Sequence, residues 1–428
     1  MTRRISVTGI NRFQSIYRLL REYKERTGNE PLNLSLGNPD LVPNEDILAL
    51  QARFAADPRL EFHTYAEDMD LHGFTEGMVE LHGWIRYPDH NHLAALPIPG
   101  IKTASAQIAI ACGLYLPDHN RRRAFRVVSN LPAYDVIGTW TASYLGCERI
   151  VWPLTIENNM CLDIDQLEAA LDRVGADRAD LIFVIRPGNP SPVGATKEEW
   201  QRLIEHCIPR GTRLVNDAAY SGLAGENHIP LAAVAVDYPE LEWVEMYSVS
   251  KSFSDPGARL GALVGSKDFV EDFRMIKGNT DSGTVPYVMA AYGAYFEDRN
   301  RARAVLVDMR LMYEGRVRYL VNQLEKSGMQ SACPTGAGFF TLWKTPRCVL
   351  GIPLTDLETN PHMAGLSLSD IFNRTVLFET GIVGVHFESP AVDGSRTPLI
   401  RYAVCTDVLD SAFQARFEQQ LARLQPGY

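Results

Sequence analysis

Features that mark several classes of protein are missing from this sequence of 428 residues. It has no Cys-x-x-Cys pair, and its seven cysteines are scattered, so we expect neither a disulfide framework nor a zinc site. No apolar run approaches the roughly 20 residues that a membrane-spanning helix needs. The basic N-terminus is not followed by the apolar segment of a secretion signal, and we therefore expect a soluble protein of the cytoplasm.

An excess of positive charge is also missing. Lys and Arg number 42 against 52 Asp and Glu, which gives a formal net charge of -10. Proteins that bind nucleic acids usually carry clustered basic residues, so this balance disfavours DNA or RNA as a partner. His90 and His92 stand in the polar stretch Pro-Asp-His-Asn-His, which is typical of an exposed loop, and we predict no bound metal.

The chain is long enough for two folded units. From about residue 125 to 265, short β-rich apolar runs alternate with stretches whose apolar residues recur at helical spacing. This alternation predicts an α/β fold with a mainly parallel sheet covered by helices. The runs are FRVVSN, LIFVIRP, TRLVND, WVEMYSVS and RLGALVG, and the helical stretches between them are IDQLEAALDRVG and KEEWQRLIEHC.

The C-terminal third has a different pattern. Residues 301–327 predict one long helix, which would lead the chain out of the sheet. Strand-like GFFTLW and LIRYAV then mix with helical SDIFNRTVLFETG and SAFQARFEQQLARL, which predicts a smaller α+β domain. We therefore divide the chain into a large domain at 46–300 and a small domain at 301–428. Residues 1–45 are too few for a core of their own, and we expect them to pack with the small domain.

Three polar residues directly follow predicted strands: Asn189, Asp217 and Lys251. Ligands of open α/β sheets bind beyond the carboxyl ends of the strands, so these positions are candidates for a site. A partly desolvated lysine has a lowered amine pKa and can form a Schiff base with a carbonyl compound. Ser248 and Arg259, on either side of Lys251, offer hydrogen-bond donors suited to a phosphate.

The segment SVSKSFSDPGARLG resembles the signature of the fold-type I aminotransferases of class I/II, which depend on pyridoxal 5'-phosphate (PLP): S-x-S-K followed by P-G-x-R-x-G. The resemblance implies a mainly parallel seven-stranded sheet sandwiched by helices, with a smaller α+β domain. It also implies that Lys251 holds PLP as a Schiff base and moves the proton taken from Cα of an amino acid substrate. The family further implies a homodimer with active sites at its interface.

Further positions match the family in the same order along the chain. Asp217, in VNDAAY, resembles the aspartate that keeps the pyridine nitrogen of PLP protonated. Tyr220 and Asn189 resemble the two residues that bond the phenolic oxygen of PLP. The spacings, 28 residues from Asn189 to Asp217 and 34 from Asp217 to Lys251, make a chance match improbable.

Upstream, the stretch KTASAQIAIACGLYLP resembles the family's phosphate-binding turn at a helix N-terminus, with Ser105, Ala106 and Gln107 in that turn. Tyr134, in SNLPAYDV, falls where the family stacks an aromatic ring on the pyridine. Tyr65, in EFHTYAEDMD, resembles the tyrosine that reaches across the dimer interface to the neighbouring subunit's phosphate.

Two residues resemble those that bind the substrate carboxylate. Arg401, in PLIRYAV, corresponds to the arginine whose planar fork matches the two carboxylate oxygens. Gly37, in NLSLGNPD, corresponds to the glycine that lets the backbone approach the same group. The stretch KGNTDSGTVPYVMAA most closely resembles the KxNxDSG segment of the diaminopimelate-type branch, which makes Asn279 a further candidate for substrate binding.

Two departures from the family pattern leave other reactions open. Arg186 stands where the family usually has asparagine or serine, and we predict that it adds a cation near the substrate. The segment 65–100 is longer and more aromatic than expected. A specialised biosynthetic enzyme for β- or γ-elimination, replacement or carbon-carbon bond formation is therefore the alternative to amino transfer, which the motifs favour. A transcription regulator with this fold is disfavoured, because about 35 residues precede Gly37 and the chain is acidic.

Overall fold

The computed structural model describes residues 12–114, 125–361, 363–391 and 393–428. The α-helices in these ranges are α1 (Arg12–Thr27), α2 (Glu45–Ala55), α3 (Phe74–Gly83), α4 (Ile101–Ala111), α5 (Val136–Gly138), α6 (Ile164–Arg173), α7 (Lys197–Cys207), α8 (Leu231–Ala235), α9 (Val249–Ser252), α10 (Lys267–Lys277), α11 (Pro286–Phe296), α12 (Arg299–Lys326), α13 (Leu354–Leu357), α14 (Leu368–Thr380) and α15 (Ser411–Leu421). A π-helical turn, Thr139–Tyr144, follows α5.

The strands in the described ranges form one large sheet and three smaller ones. They are β1 (Leu32–Asn33), β2 (Leu93–Ile98), β3 (Arg126–Leu131), β4 (Glu148–Pro153), β5 (Leu181–Ile185), β6 (Arg213–Asp217), β7 (Trp243–Ser248), β8 (Gly261–Ser266), β9 (Phe340–Lys344), β10 (Cys348–Val349), β11 (Ile352–Pro353), β12 (Ile382–Val383), β13 (Val385–Pro390) and β14 (Arg396–Ala403).

The large sheet has seven strands in the order β2-β8-β7-β6-β5-β3-β4. Strands β7, β6, β5, β3 and β4 are parallel, whereas β8 runs antiparallel to both of its neighbours. The five apolar runs that predicted strands form β3, β5, β6, β7 and β8, and the α/β fold with a mainly parallel seven-stranded sheet is confirmed.

Burial on both faces explains why these runs are almost wholly apolar. All five residues of β5 are buried, and α7 covers the sheet with Trp200, Leu203 and Ile204, which share one helix face. A capping box starts α7, because the Thr196 side chain accepts from the Glu199 N-H while Glu199 accepts from the Thr196 N-H. These two hydrogen bonds fix the residue at which α7 begins.

The C-terminal part contains the antiparallel sheet β13-β14-β9. The 28-residue helix α12 precedes it, close to the helix predicted at 301–327. Strand β1 pairs in parallel with β12, so the N-terminal segment is joined to this part of the chain. The domain boundaries after residues 45 and 300 stay predictions. Within the described ranges, no helix combines the length and the apolar character needed to cross a membrane.

Candidate active site

A cavity of about 320 Å³ lies at the carboxyl ends of β5, β6 and β7. This volume is within the range of roughly 300 to 1,000 Å³ that is usual for small-molecule sites. Most of the residues that the sequence singled out contribute to its wall. The lining residues are Tyr17, Leu36, Gly37, Asn38, Ile101, Lys102, Ser105, Tyr134, Val136, Ile185, Asn189, Asp217, Ala219, Tyr220, Ser248, Ser250, Lys251, Pro256, Arg259 and Arg401.

Lys251 stands on the short helix α9, which begins directly after β7. The Ser248 hydroxyl caps this helix by accepting from the Ser250 N-H. The Lys251 Nζ donates to the carbonyl oxygen of Gly37 at 2.6 Å. Burial lowers the pKa of Lys251 to about 8, so near neutral pH a useful share of this amine is unprotonated and nucleophilic.

Asp217 is the last residue of β6 and faces the cavity. Burial raises the pKa of its carboxyl to about 6, although the N-H of Ala219, which donates to Oδ1 at 3.1 Å, and the charge of Lys251 favour the ionised form. A cation placed against this carboxyl would stabilise its charge and gain a strong hydrogen bond. The environment of Asp217 therefore suits a protonated ring nitrogen.

Asn189 connects the cofactor side of the cavity with the substrate side. Its Nδ2 donates to the Tyr220 hydroxyl at 3.5 Å, and its Oδ1 accepts from Arg401 Nη1 at 2.7 Å. Its carbonyl oxygen accepts from the N-H of Tyr134 at 2.7 Å, which ties the Tyr134 backbone to the same turn. Burial raises the pKa of Tyr220, so this hydroxyl stays protonated and can donate to a ligand oxygen.

The first turn of α4 forms a corner suited to an anion. Gly100 precedes the helix with a φ of 86°, and the N-H groups of residues 101–103 have no acceptor inside the helix. Lys102 lines the cavity beside this turn, and the Arg259 guanidinium lies next to Gly100, where Nη2 donates to the Pro99 oxygen at 3.4 Å. Positive charge and free N-H groups thus converge here.

The predicted position of the phosphate turn requires a correction. Helix α4 begins at Ile101, so Ser105, Ala106 and Gln107 lie in its second turn, not at its N-terminus. Ser105 lines the cavity, but its hydroxyl donates to the Ile101 oxygen at 2.9 Å. Ala106 and Gln107 do not line the cavity, and Gln107 Nε2 donates to the Thr280 hydroxyl at 2.7 Å. Ile101 and Lys102, which begin α4 and line the cavity, were not predicted as site residues.

Arg401 is fully buried and enters the cavity from β14. Besides its bond to Asn189, its Nη2 donates to the Ser35 oxygen at 2.5 Å, and its Cζ lies 4.3 Å from the centre of the Phe340 ring. The same ring lies 3.0 Å from where a Cβ of Gly37 would be, so a larger residue at that position would crowd the Phe340 ring. Arg401 and Gly37 therefore lie in one wall.

The prediction that Arg186 places a cation near the substrate is wrong. Arg186 follows Ile185, the last residue of β5, and successive strand residues face opposite sides of a sheet. Ile185 lines the cavity, whereas the buried Arg186 side chain donates to the oxygens of Met160 at 2.5 Å and Val193 at 3.3 Å. Burial lowers the pKa of this guanidinium.

Two other predicted site residues lie outside the cavity of their own chain. Asn279 is exposed just beyond α10, and its Nδ2 donates to the Met275 oxygen at 2.9 Å. It does not line the cavity of its own chain, and its contact with substrate stays a prediction. Tyr65 is 74% exposed and does not line the cavity either. Its predicted role needs a second copy of the chain and stays a prediction.

The sequence is similar to those of known aminotransferases. The profile of a family described as "Aminotransferase class I and II" matches residues 31–408. An LL-diaminopimelate aminotransferase from Syntrophobacter fumaroxidans is 28% identical over 338 residues, which cover 78% of this chain and 81% of the relative. One from Nitratidesulfovibrio vulgaris is 29% identical over 288 residues, 66% of each chain.

Solved structures of aminotransferases are similar to this chain over nearly its whole length. N-succinyldiaminopimelate aminotransferase from Mycobacterium tuberculosis has a TM-score of 0.71 at 19% identity, covering 96% of this chain and 100% of its own. A mutant of aspartate aminotransferase from Thermus thermophilus has a TM-score of 0.72 at 16% identity, covering 99% and 98%. At such identities these neighbours show the fold alone.

Proposed function

The chain belongs to the class I and II aminotransferase family, and we propose that the cavity around Lys251 binds PLP and passes the amino group of an α-amino acid through it. The predictions of the family and of an aminotransferase are confirmed by the match over residues 31–408 and by the named relatives. Members of this family depend on PLP in general. The residues that hold the cofactor and the substrate are our proposal.

The cavity has groups suited to each part of PLP. The free N-H groups at the start of α4 and the Arg259 guanidinium suit the phosphate, and the buried carboxyl of Asp217 suits the ring nitrogen. When bound, PLP supplies an aldehyde and an aromatic ring that withdraws electrons from the substrate Cα. The proposed cofactor residues are Ile101, Lys102, Ser105, Tyr134, Asn189, Asp217, Tyr220, Ser248, Lys251 and Arg259.

Lys251 would serve first as the point of covalent attachment and then as the proton carrier. An amine whose pKa lies at about 8 can both accept and return a proton near neutral pH. The Gly37 oxygen, 2.6 Å from Nζ, holds this amine on the substrate side of the cavity. Asp217 and Tyr220 line the same cavity and would hold the cofactor ring, and Lys251 would then carry the proton at the substrate Cα.

Arg401 would bind the α-carboxylate of the substrate. The observation that carries the proposed function is the single cavity into which Lys251, Asp217 and Arg401 all project. A cation for the carboxylate, an amine for the proton and an acid for the ring nitrogen are the three groups that amino transfer requires. Arg401 donates a hydrogen bond to Asn189, which is one of the proposed cofactor residues. This bond fixes the distance between the carboxylate-binding guanidinium (the carboxylate clamp) and the cofactor residues.

The rim of the cavity favours a substrate with a second polar end. Tyr17 and Asn38 line it, and both residues are exposed. The Tyr17 hydroxyl and the Asn38 amide can donate hydrogen bonds to a carboxylate that lies beyond the α-amino group. Several relatives are named LL-diaminopimelate aminotransferases, and we propose an amino acid of this kind as the preferred donor.

A panel of amino donors tests the proposed function. We expect LL-diaminopimelate or aspartate to convert bound PLP to pyridoxamine phosphate with kcat/KM at least about 10-fold above that of alanine, since one charged hydrogen bond is worth about 1.5 to 3 kcal/mol. The measurement follows the cofactor spectrum and the keto acid for each donor separately. Ammonia, or a coupled product, without pyridoxamine phosphate would instead support elimination, replacement or carbon-carbon bond formation.

We infer further that two chains associate and that Tyr65 reaches the phosphate of the partner's cofactor. Tyr65 and Leu60 are 74% and 75% exposed in the single chain and lie five residues apart in the sequence, so this segment offers apolar surface to a second copy of the chain. Sedimentation equilibrium should give twice the chain mass, and Tyr65→Ala should weaken PLP retention by roughly 10-fold while the dimer persists. Trp84→Ala, which removes another exposed aromatic, is the control. A monomer, or unchanged retention in Tyr65→Ala, would contradict this arrangement.

A further inference from the structure

Arg316, in the middle of α12, joins two segments that are far apart in the sequence. Its side chain is only 7% exposed. Its Nη1 donates to both carboxylate oxygens of Asp40 at 2.9 Å and to the Val404 oxygen at 3.3 Å. Its Nη2 lies 3.7 Å from an oxygen of Asp407. The guanidinium therefore holds the chain near residue 40 against the chain at 404–407.

The two joined segments carry the two halves of the proposed carboxylate clamp. Asp40 follows Gly37 and Asn38, which both line the cavity, by three and two residues. Val404 follows Arg401 by three residues. A movement of Asp40 relative to Val404 would therefore change the distance between Gly37 and the Arg401 guanidinium.

Regular secondary structure does not hold the first of these segments. In the described part of the chain, residues 36–43 donate no backbone hydrogen bond to another backbone group, and they belong to neither a helix nor a strand. Side chains hold it instead: Arg401 donates to the Ser35 oxygen, Lys251 to the Gly37 oxygen and Arg316 to Asp40. Two of these donors take part in the reaction that we propose, whereas Arg316 does not line the cavity.

We propose that Arg316 is a positioning residue that sets the geometry of the substrate carboxylate clamp. It keeps the Gly37 segment and the Arg401 strand in register while Lys251 is engaged elsewhere, because its bonds to Asp40 and Val404 do not involve the cavity. The inference rests on the proposed binding of the α-carboxylate by Arg401. A change at Arg316 should therefore weaken substrate binding and leave the proton transfer by Lys251 nearly intact.

The test compares KM and kcat in the PLP-loaded enzyme with LL-diaminopimelate, or with the best donor of the panel. Arg316→Gln and Asp40→Asn should each raise KM by roughly 10- to 100-fold and change kcat by less than about 3-fold. The double variant should be little worse than either single variant, because both remove the same ion pair. Arg316→Lys, which keeps the charge, should recover part of the loss. Arg318→Gln, an exposed arginine on the same helix, is the matched control.

The outcomes separate this inference from the proposed function. If Arg401→Lys raises KM strongly but Arg316→Gln and Asp40→Asn leave it unchanged, the positioning role is wrong and the clamp stands. If Arg401→Lys leaves KM unchanged, the proposed role of Arg401 fails first. An equal fall of kcat and kcat/KM in folded Arg316→Gln would also overturn the inference. Should that variant fail to fold, Asp40→Asn decides, since the Asp40 side chain is 22% exposed and tolerates change better.

Discussion

Replacing Lys251 with alanine should reduce kcat roughly 10²- to 10⁴-fold or more, since a positioned general acid or base contributes about that much and covalent attachment is lost as well. The cavity offers Lys102 as its other lysine, but that side chain lies at the rim, beside the first turn of α4. Lys251 alone is held at the Gly37 oxygen, where the substrate Cα would lie. Initial rates of keto acid formation, measured with saturating donor and PLP, give the comparison.

Lys326→Ala is the control for this prediction, because Lys326 is an exposed lysine at the end of α12. Its activity should equal that of the wild-type enzyme. The circular dichroism spectrum and the thermal transition of Lys251→Ala should stay close to the wild type, since truncation of a buried lysine with a lowered pKa removes an unfavourable charge. A Lys251→Ala enzyme with more than about a tenth of wild-type kcat would contradict the proton-carrying role.

Replacing Asp217 with asparagine should reduce kcat roughly 10²- to 10³-fold, the usual cost of removing one preorganised charge from an active site. Asparagine keeps the size of the side chain, but it carries no negative charge to keep the ring nitrogen protonated. KM should change little, because Asp217 does not belong to the carboxylate clamp. Single-turnover rates of conversion to pyridoxamine phosphate measure this step directly. A variant with a wild-type single-turnover rate would contradict the assignment.

The stability of the cofactor-free protein provides an independent check on Asp217. Burial raises its pKa to about 6 from 3.8, so the folded state binds this proton more tightly than the unfolded state does. The resulting stabilisation is fully present below pH 3.8 and is lost as the pH rises through about 6. The urea midpoint of the wild-type protein should therefore include a decrease between pH 4 and about 7 that is due to Asp217. In Asp217→Asn this contribution should be missing, so the midpoint should fall less over the same pH range. Asp237→Asn, at an exposed carboxylate, should keep it.

The strands of the sheet that are buried on both faces were predictable, because their residues are almost all apolar. Strand β5 is buried on both faces and reads as the unbroken apolar run LIFVI, which only a central strand of such a sheet requires. Strand β2, LAALPI, was not predicted, because alanine and proline have low strand propensity and its place is at the sheet edge beside β8. Strand pairing there depends on the rest of the fold rather than on local preference.

The active-site residues that follow predicted strands were predictable, and those set by the wider fold were not. Asn189, Asp217 and Lys251 follow strands that the sequence predicts, and the structure brings them into one cavity. The phosphate corner was placed one turn too late, because Gly100 caps α4 without the serine, threonine or aspartate that marks a helix start in sequence. Arg186 was misjudged because residue type alone does not reveal which face of the sheet a side chain occupies.

The Arg316–Asp40 pair could not be predicted at all. Its members are 276 residues apart, and an arginine in a polar helix face usually forms an exposed ion pair of little consequence. Only the position of α12 beside the N-terminal segment and beside Val404, which follows β14, shows that this guanidinium is buried and shared between them. Contacts of this kind depend on the assembled fold, and local patterns do not record them.

Borohydride reduction of the PLP-loaded enzyme, followed by peptide mass mapping, identifies the lysine that carries the cofactor. Reduction makes the bond between lysine and cofactor permanent, so the modified peptide identifies the lysine. We predict one modified site, in the peptide that contains Lys251, and none in Lys251→Ala. Cofactor trapped on Lys102, the other lysine of the cavity, or bound cofactor with an unmodified Lys251, would show that Lys251 does not carry the cofactor.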